Sequence, residues 1–246
     1  MSERAERFIE LDVIRGSALF LMIFLHLLWD LDFYNVMPLD TTIYSLNKIV
    51  SFTFFLVAGI SVSIAYRRKS AYHVIKHGIW IFNVGMGLTI ITLMVIPQRP
   101  IYFGVLHCIG LSLLLSVPFI RFKKYAVLPA FCAIIAGLVI DAIPTSSPSI
   151  VQLILGLHQS NIWQYTVDYF PVLPWLGIML LGIAIGNVAY KDGKRQFKLP
   201  NLNPYKSARM VSFFGKNSLY VYLVHQPVII VIIKYMMPIL RPLLNL

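Results

Sequence analysis

The sequence predicts an all-α, polytopic membrane protein of about seven transmembrane helices, and three observations carry that prediction. Hydrophobic residues make up 58% of the chain and charged residues only 13%, with a mean hydropathy of +0.76, far above a soluble domain. Mostly apolar windows that reach the ~20 residues needed to cross a bilayer occur at 10–31, 46–66, 78–97, 101–120, 125–143, 171–190 and 214–237. The cations fall in alternate loops. With the N-terminus inside, Arg4, Arg7, Arg67, Arg68, Lys69, Lys76, Arg121, Lys123, Lys124 and the basic segment 191–216 share one side, leaving Lys48, Arg99, Lys234 and Arg241 for the other. That asymmetry predicts N-in and C-out. The net charge of +11 therefore follows the membrane and does not point to a nucleic-acid partner. No linker, low-complexity tract or repeat interrupts the windows, so residues 1–246 are expected to form a single domain.

The first window, ELDVIRGSALFLMIFLHLLWDLD at 10–32, is too long for a signal-peptide core and lacks a small-residue cleavage site, so it is expected to stay. At 100° per residue, Asp12, Arg15, Leu19, Ile23, His26 and Asp30 share one narrow stripe. Ionisable groups at membrane depth cost about 2.5 kcal/mol or more each and usually face a bundle interior or a watered cavity. The stripe is therefore expected to line a site crossing much of the bilayer, an interhelical salt-bridge ladder being the structural alternative.

The loop 33–47 is short and polar, with Pro38 and Asp40, and is expected to roof that site. The second window carries Gly59, Ser61 and Ser63, small residues that permit close helix approach, and ends at Arg67, Arg68 and Lys69. His73 and His77 stand four apart, a metal-compatible spacing, but without a third ligand nearby no metal site is expected. The third window, with Asn83, runs into Pro97-Gln98-Arg99-Pro100, a tight turn. The fourth contains His107. Both His107 and His26 are expected within about 6 to 10 Å of the outer surface at ~1.5 Å per residue. Cys108 and Cys132 lie in apolar runs and form neither a disulfide framework nor a metal motif.

Residues 144–170 form the longest outer segment, and 150–157, too short to span, reads as a re-entrant or interfacial helix. His158, Trp163 and Asp168 follow it. The sixth window is kinked at its entrance by Pro171 and Pro174 and repeats glycine at Gly177, Gly182 and Gly186, a pattern for close packing. In the seventh, His225 and Gln226 precede Pro227 at an expected helix break with a freed carbonyl. The run Gly215-Lys216-Asn217-Ser218 before it reads as a helix start capped by Asn217 or Ser218.

The segments RFIELDVIRGSALFLMIFLHLLWD, FTFFLVAGISVSIAYRR, YFGVLHCIGLSLLL, DYFPVLPWLGIMLLGIAIGN and GKNSLYVYLVHQPV, in that order, resemble the prokaryotic members of the heparan-α-glucosaminide N-acetyltransferase catalytic-domain family. The resemblance implies a multi-span enzyme of a prokaryotic plasma membrane that passes an acyl group from cytosolic acyl-CoA, with acetyl-CoA as co-substrate, to a sugar or glycan acceptor on the other side. In the family's lysosomal branch the histidine regarded as catalytic lies in the loop after the Asp-x-x-Arg-Gly span. The corresponding loop here, 33–47, has no histidine, and His26 stands where that branch has asparagine. The catalytic role must therefore be assigned on physical grounds.

On those grounds His26 is the candidate general base with Asp30 at i+4 holding its other ring nitrogen, and His107 the candidate oxyanion stabiliser or second proton carrier. Direct transfer and an acyl-histidine intermediate both suit these residues. Arg15 oriented by Asp12, with Arg67, Arg68, Arg121 and Lys124 near the mouth, are candidates for the CoA phosphates; His225 and Gln226 are candidates for the cavity wall against the cofactor. Asp32, Arg99, His158, Asp168 and Trp175 are candidates for holding the acceptor. A proton-coupled transporter is the main alternative, since buried His and Asp chains serve proton relays, but matched halves with broken spans are not evident. The glycine-rich spans suit a homodimer and a packed monomer alike.

Overall fold

The computed structural model describes residues 8–34, 36–38, 41–143, 145–191 and 194–244, the side chains of 41, 42, 44, 45 and 237–244 excepted. The expectations for Arg4, Arg7, Asp40 and the Arg241 side chain lie outside the described residues. Among them the chain is helical, with no strand: α1 Ile9–Phe33, α2 Thr41–Arg68, α3 Ala71–Val95, α4 Val105–Ile120, α5 Val127–Asp141, α6 Ile150–Leu155, α7 Val172–Ala189, α8 Lys206–Lys216 and α9 Ser218–Leu244, with 3-10 turns at Lys123–Ala126 and Ile162–Gln164.

Among the described residues, six segments are long and apolar enough to span a membrane: Ile9–Phe33, Leu46–Arg68, Ala71–Val95, Lys123–Asp141, Val172–Ala189 and Ser218–Met236. The expected window 101–120 is reduced to α4, 16 residues, or about 24 Å at 1.5 Å per residue. Its first residues are not helical because Phe103 pairs with Tyr169 in an isolated parallel bridge, the Phe170 N–H donating to the Phe103 carbonyl at 3.0 Å. The third helix starts earlier than expected, directly after Ser70, whose φ of 127° lies outside the helical range and separates it from α2. The short helix expected at 150–157 is α6, six residues long. Ser149 and Gln152 close a capping box at its start, and Gly156 stops it at φ 125°.

The seventh window divides. An amphipathic helix, α8, ends at Lys216, and α9 begins at Ser218. Asn217 serves both: its amide donates to the Phe213 carbonyl at 2.9 Å and its carbonyl accepts from Val221 N–H at 3.2 Å. α9 then runs through Pro227 without the expected break.

The chain forms two compact units. The terminal unit is Met1–Phe54 with Leu199–Leu246, and the central unit is Phe55–Lys198. In the terminal unit α1 is buried along Leu19, Met22 and Leu25, which cluster with Val50 and pack against Phe54, Phe214, Val221 and Tyr222. In the central unit α7 is the hub, with Met179, Leu180 and Ile183 at most 1% exposed. Lipid is as apolar as leucine, so helices associate through close packing at small residues. Added to Gly59 of α2, a Cβ atom would stand 2.0 Å from the Met179 carbonyl oxygen of α7; at Gly182 it would stand 2.2 Å from that of Leu56. The expected glycine pattern is thus what lets α2 and α7 touch through their backbones.

Candidate active site

In the polar stripe of α1, Asp12 and Asp30 are buried, each 3% exposed, and Arg15 and His26 are half-buried. At its first turns Arg15 Nη1 donates to Asp12 Oδ1 at 3.2 Å, the pairing expected of residues three apart. Helix α8 crosses here at backbone contact. A Cβ on Gly215 would lie 1.8 Å from the Asp12 carbonyl oxygen, and one on Gly16 2.2 Å from that of Val211.

At the other end, His26 and His225 meet edge to face, ring centroids 4.9 Å apart and planes at 87°. His26 Nδ1 lies 2.9 Å from the Met22 carbonyl oxygen, and His225 Nδ1 bonds the Tyr222 carbonyl. A carbonyl only accepts, so each Nδ1 carries the hydrogen and the neutral ring presents its lone pair at Nε2. The tautomers are assigned from these bonds. Asp30 does not hold His26 as the sequence predicted. Its two oxygens accept from Gln226 Nε2 at 3.0 and 2.9 Å. The reason is competition: the side chain of His26 tilts toward the preceding turn and finds Met22, while α9 brings an amide to the carboxylate. His225 Nε2 and Gln226 Oε1 are both buried without a partner. Both are acceptors, and each is left without the hydrogen-bond donor that a buried acceptor calls for.

The central unit treats its histidine differently. His107, 1% exposed, accepts at Nδ1 from the Gly104 N–H at 3.2 Å and approaches Thr89 Oγ1 at 3.3 Å through Nε2. The Thr89 hydroxyl gives its own hydrogen to the Ile101 carbonyl at 2.6 Å, so Nε2–H donates to it. Both ring nitrogens are occupied, and Phe82 and Phe103 pack on the ring. Gly85 makes room, since a Cβ there would sit 3.1 Å from Nδ1. Next to this node, Asp168 Oδ2 accepts from the Val105 N–H at 3.0 Å, a carboxylate at the N-terminus of α4, where the helix dipole favours it. Burial pushes its carboxyl up to about 6, the Val105 bond opposing.

The remaining candidates are used locally. Arg67 donates to both the Oδ1 (2.8 Å) and the carbonyl (3.2 Å) of Asn187, tying α2 to the end of α7. Lys124 lies over the Tyr125 ring at 5.2 Å, and Arg68 and Arg121 are exposed at helix ends. Arg99 donates to the Trp163 carbonyl. His158 spans Asp141 Oδ1 (3.0 Å) and the Gln159 carbonyl (2.8 Å). Trp175 stacks with Phe55 and packs at a tilt against Phe170, centroids 5.1 and 5.2 Å away, and Asp32 is half-buried in the last turn of α1. The polar partners the sequence did not reveal are Met22, Tyr222, Thr89 and Gly104. Three of them act through the backbone, for which side-chain identity carries no signal.

The family model for the heparan-alpha-glucosaminide N-acetyltransferase catalytic region matches residues 7–227. The chain belongs to that family. The matched range holds all of α1, the His107 node and the His225–Gln226 pair, so both histidine arrangements lie within the heparan-alpha-glucosaminide N-acetyltransferase catalytic region. Membership implies a membrane acetyltransferase, of a family generally dependent on acetyl-CoA. No curated protein and no solved structure matches the chain.

Proposed function

We propose that this chain transfers an acetyl group from cytosolic acetyl-CoA to a hydroxyl or amine of a sugar or glycan acceptor on the opposite side of a prokaryotic plasma membrane, and that the terminal unit carries the chemistry. The loop charges support N-in and C-out, with α4 counted as a seventh crossing. The observation that carries the reading is the His26–His225 pair, whose Nδ1 atoms are each held by a backbone carbonyl within a chain of this family. A base must offer a lone pair toward its proton and be held in that tautomer. Backbone carbonyls do here what an acidic partner does elsewhere.

In this scheme the acceptor heteroatom bonds to the acyl carbon and its proton passes to His26 Nε2; the carbon–sulfur bond breaks, and the departing thiolate of CoA receives that proton. Asp30, one turn from His26, stabilises the imidazolium formed between these steps. His225 Nε2 and Gln226 Oε1 accept hydrogen bonds from the acceptor and orient it. Arg15 holds a CoA phosphate, and its rise to His26 along α1 is about 16 Å, comparable with an extended pantetheine arm. His107 is reassigned to structural work, because protein groups meet both of its ring nitrogens; Arg67 spends Nη2 on Asn187 and stays a candidate for the CoA phosphates through its other N–H groups.

Calorimetric titration of acetyl-CoA into the purified protein in detergent, wild type against Arg15→Gln, tests the donor half. Saturable binding weakened by about tenfold or more is expected for loss of a charge-assisted phosphate contact. No binding to folded, monodisperse wild-type protein overturns the reading.

A further inference from the structure

Helix α8 has two faces. Ala208, Val211, Ser212 and Gly215 turn toward α1, clamped by the backbone contacts at Gly16 and Asp12. The opposite face presents Met210 and Phe213, 58% and 60% exposed, among Lys206, Arg209 and Lys216, all exposed. Apolar tips and cations are thus interleaved on a surface that nothing in the terminal unit covers.

Two further observations say what covers it. A single residue, Asn217, separates α8 from the spanning helix α9, so α8 lies where a span enters the bilayer. Charge is one-signed: no Asp or Glu follows Asp192 in the sequence. Water is a poor match for Phe213 and Met210, and a protein partner would have to bury three cations. A helix lying in the interface with apolar side chains in the acyl boundary and Lys and Arg at headgroup level satisfies both. Anionic headgroups add an attraction that neutral ones lack.

We propose that α8 is an interfacial lipid-binding helix selective for anionic headgroups, with Phe213 and Met210 inserted among the acyl chains and Lys206, Arg209 and Lys216 on the phosphates. The site is independent of acyl transfer, since it uses none of the residues placed in that chemistry.

The test uses the whole protein in nanodiscs of phosphatidylcholine alone or mixed with phosphatidylglycerol. A bimane label is attached at Phe213→Cys in a Cys132→Ser background, the other cysteine, Cys108, being fully buried. Quenching by brominated acyl chains is expected in both discs and about twofold or more stronger with phosphatidylglycerol. Adding Lys206→Gln, Arg209→Gln and Lys216→Gln should abolish the difference between discs. These three side chains are exposed, so folding, checked by monodispersity and helicity, is expected to survive. Native mass spectrometry of the unlabelled protein should show retained phosphatidylglycerol that the triple variant loses. A probe that lipid does not quench overturns the proposal, whether the face proves to be in water or against a second copy. Equal quenching in both discs, unchanged by the triple variant, overturns the headgroup selectivity.

Discussion

His26 with His225 in the terminal unit and His107 in the central unit are alike in sequence terms: histidines on apolar helices, among small and aromatic neighbours. They differ in whether their hydrogen bonds are complete. His107 accepts from Gly104 and donates to Thr89, and its ring has no atom left for a ligand. His26 and His225 each use Nδ1 alone, and the remaining nitrogen of His225 is buried and unpartnered. Burial of a histidine in a membrane helix thus does not mark a catalytic group by itself; an open lone pair in a fixed tautomer is what the proposed general-base role requires in addition.

The largest expected effect tests that contrast directly. His26→Ala should lower transfer of radiolabelled acetyl from acetyl-CoA to glucosamine, as probe acceptor, by about 10²- to 10⁴-fold, the usual worth of a positioned base, while the affinity for acetyl-CoA stays within about twofold. His107→Ala should do the reverse, keeping turnover per folded molecule and lowering thermal stability, because it orphans the Gly104 N–H and leaves a cavity beneath Phe82. A folded His107→Ala protein without turnover would erase the distinction.

The legible part of this molecule was the periodic part. The stripe from Asp12 to Asp30 follows from 3.6 residues per turn, and the α2–α7 contact from glycine spacing. What the periodicity could not show was the partner across the gap. A helix wheel places Asp30 beside His26, yet α9 supplies Gln226 to the carboxylate and Met22 supplies its carbonyl to the ring. Hydropathy averaging likewise merged α8 with α9, since one residue, Asn217, separates a surface helix from a spanning one. His107 looked equivalent to His26 because its saturation depends on Thr89, a turn and a helix away.

An intermediate effect sharpens the comparison at the level of packing. Both units rely on glycine-to-carbonyl contact, but only the terminal unit places it beside the proposed phosphate site. Gly182→Ala should destabilise the central unit by about 1–3 kcal/mol, read as a lower melting temperature in detergent with acetyl-CoA affinity unchanged. Gly215→Ala should lower both, since its methyl group would push α8 from the Asp12 carbonyl and shift Arg15. Gly87→Ala, with nothing within 4 Å of the new atom, serves as the reference. Equal affinities for Gly182→Ala and Gly215→Ala would detach α8 from the Arg15 site.

The smallest effect concerns the closed node itself, through Asp168. Its carboxyl rises from 3.8 to about 6 because burial disfavours the charged form more than the Val105 N–H favours it. A folded-state value above the unfolded one means that the folded protein binds the proton more tightly between those two values. The contribution to stability is therefore fully present below about pH 4 and is lost as pH rises through about 6. Asp168→Asn keeps an oxygen for the Val105 N–H but cannot titrate. The wild-type melting temperature, measured relative to this variant, should accordingly fall between pH 4 and pH 6.5 and level off above, other carboxyl groups cancelling in the difference. A flat difference over that range would mean that Asp168 is more open to solvent than its place at the head of α4 implies, and that the central node is less completely closed than the contrast with His26 requires.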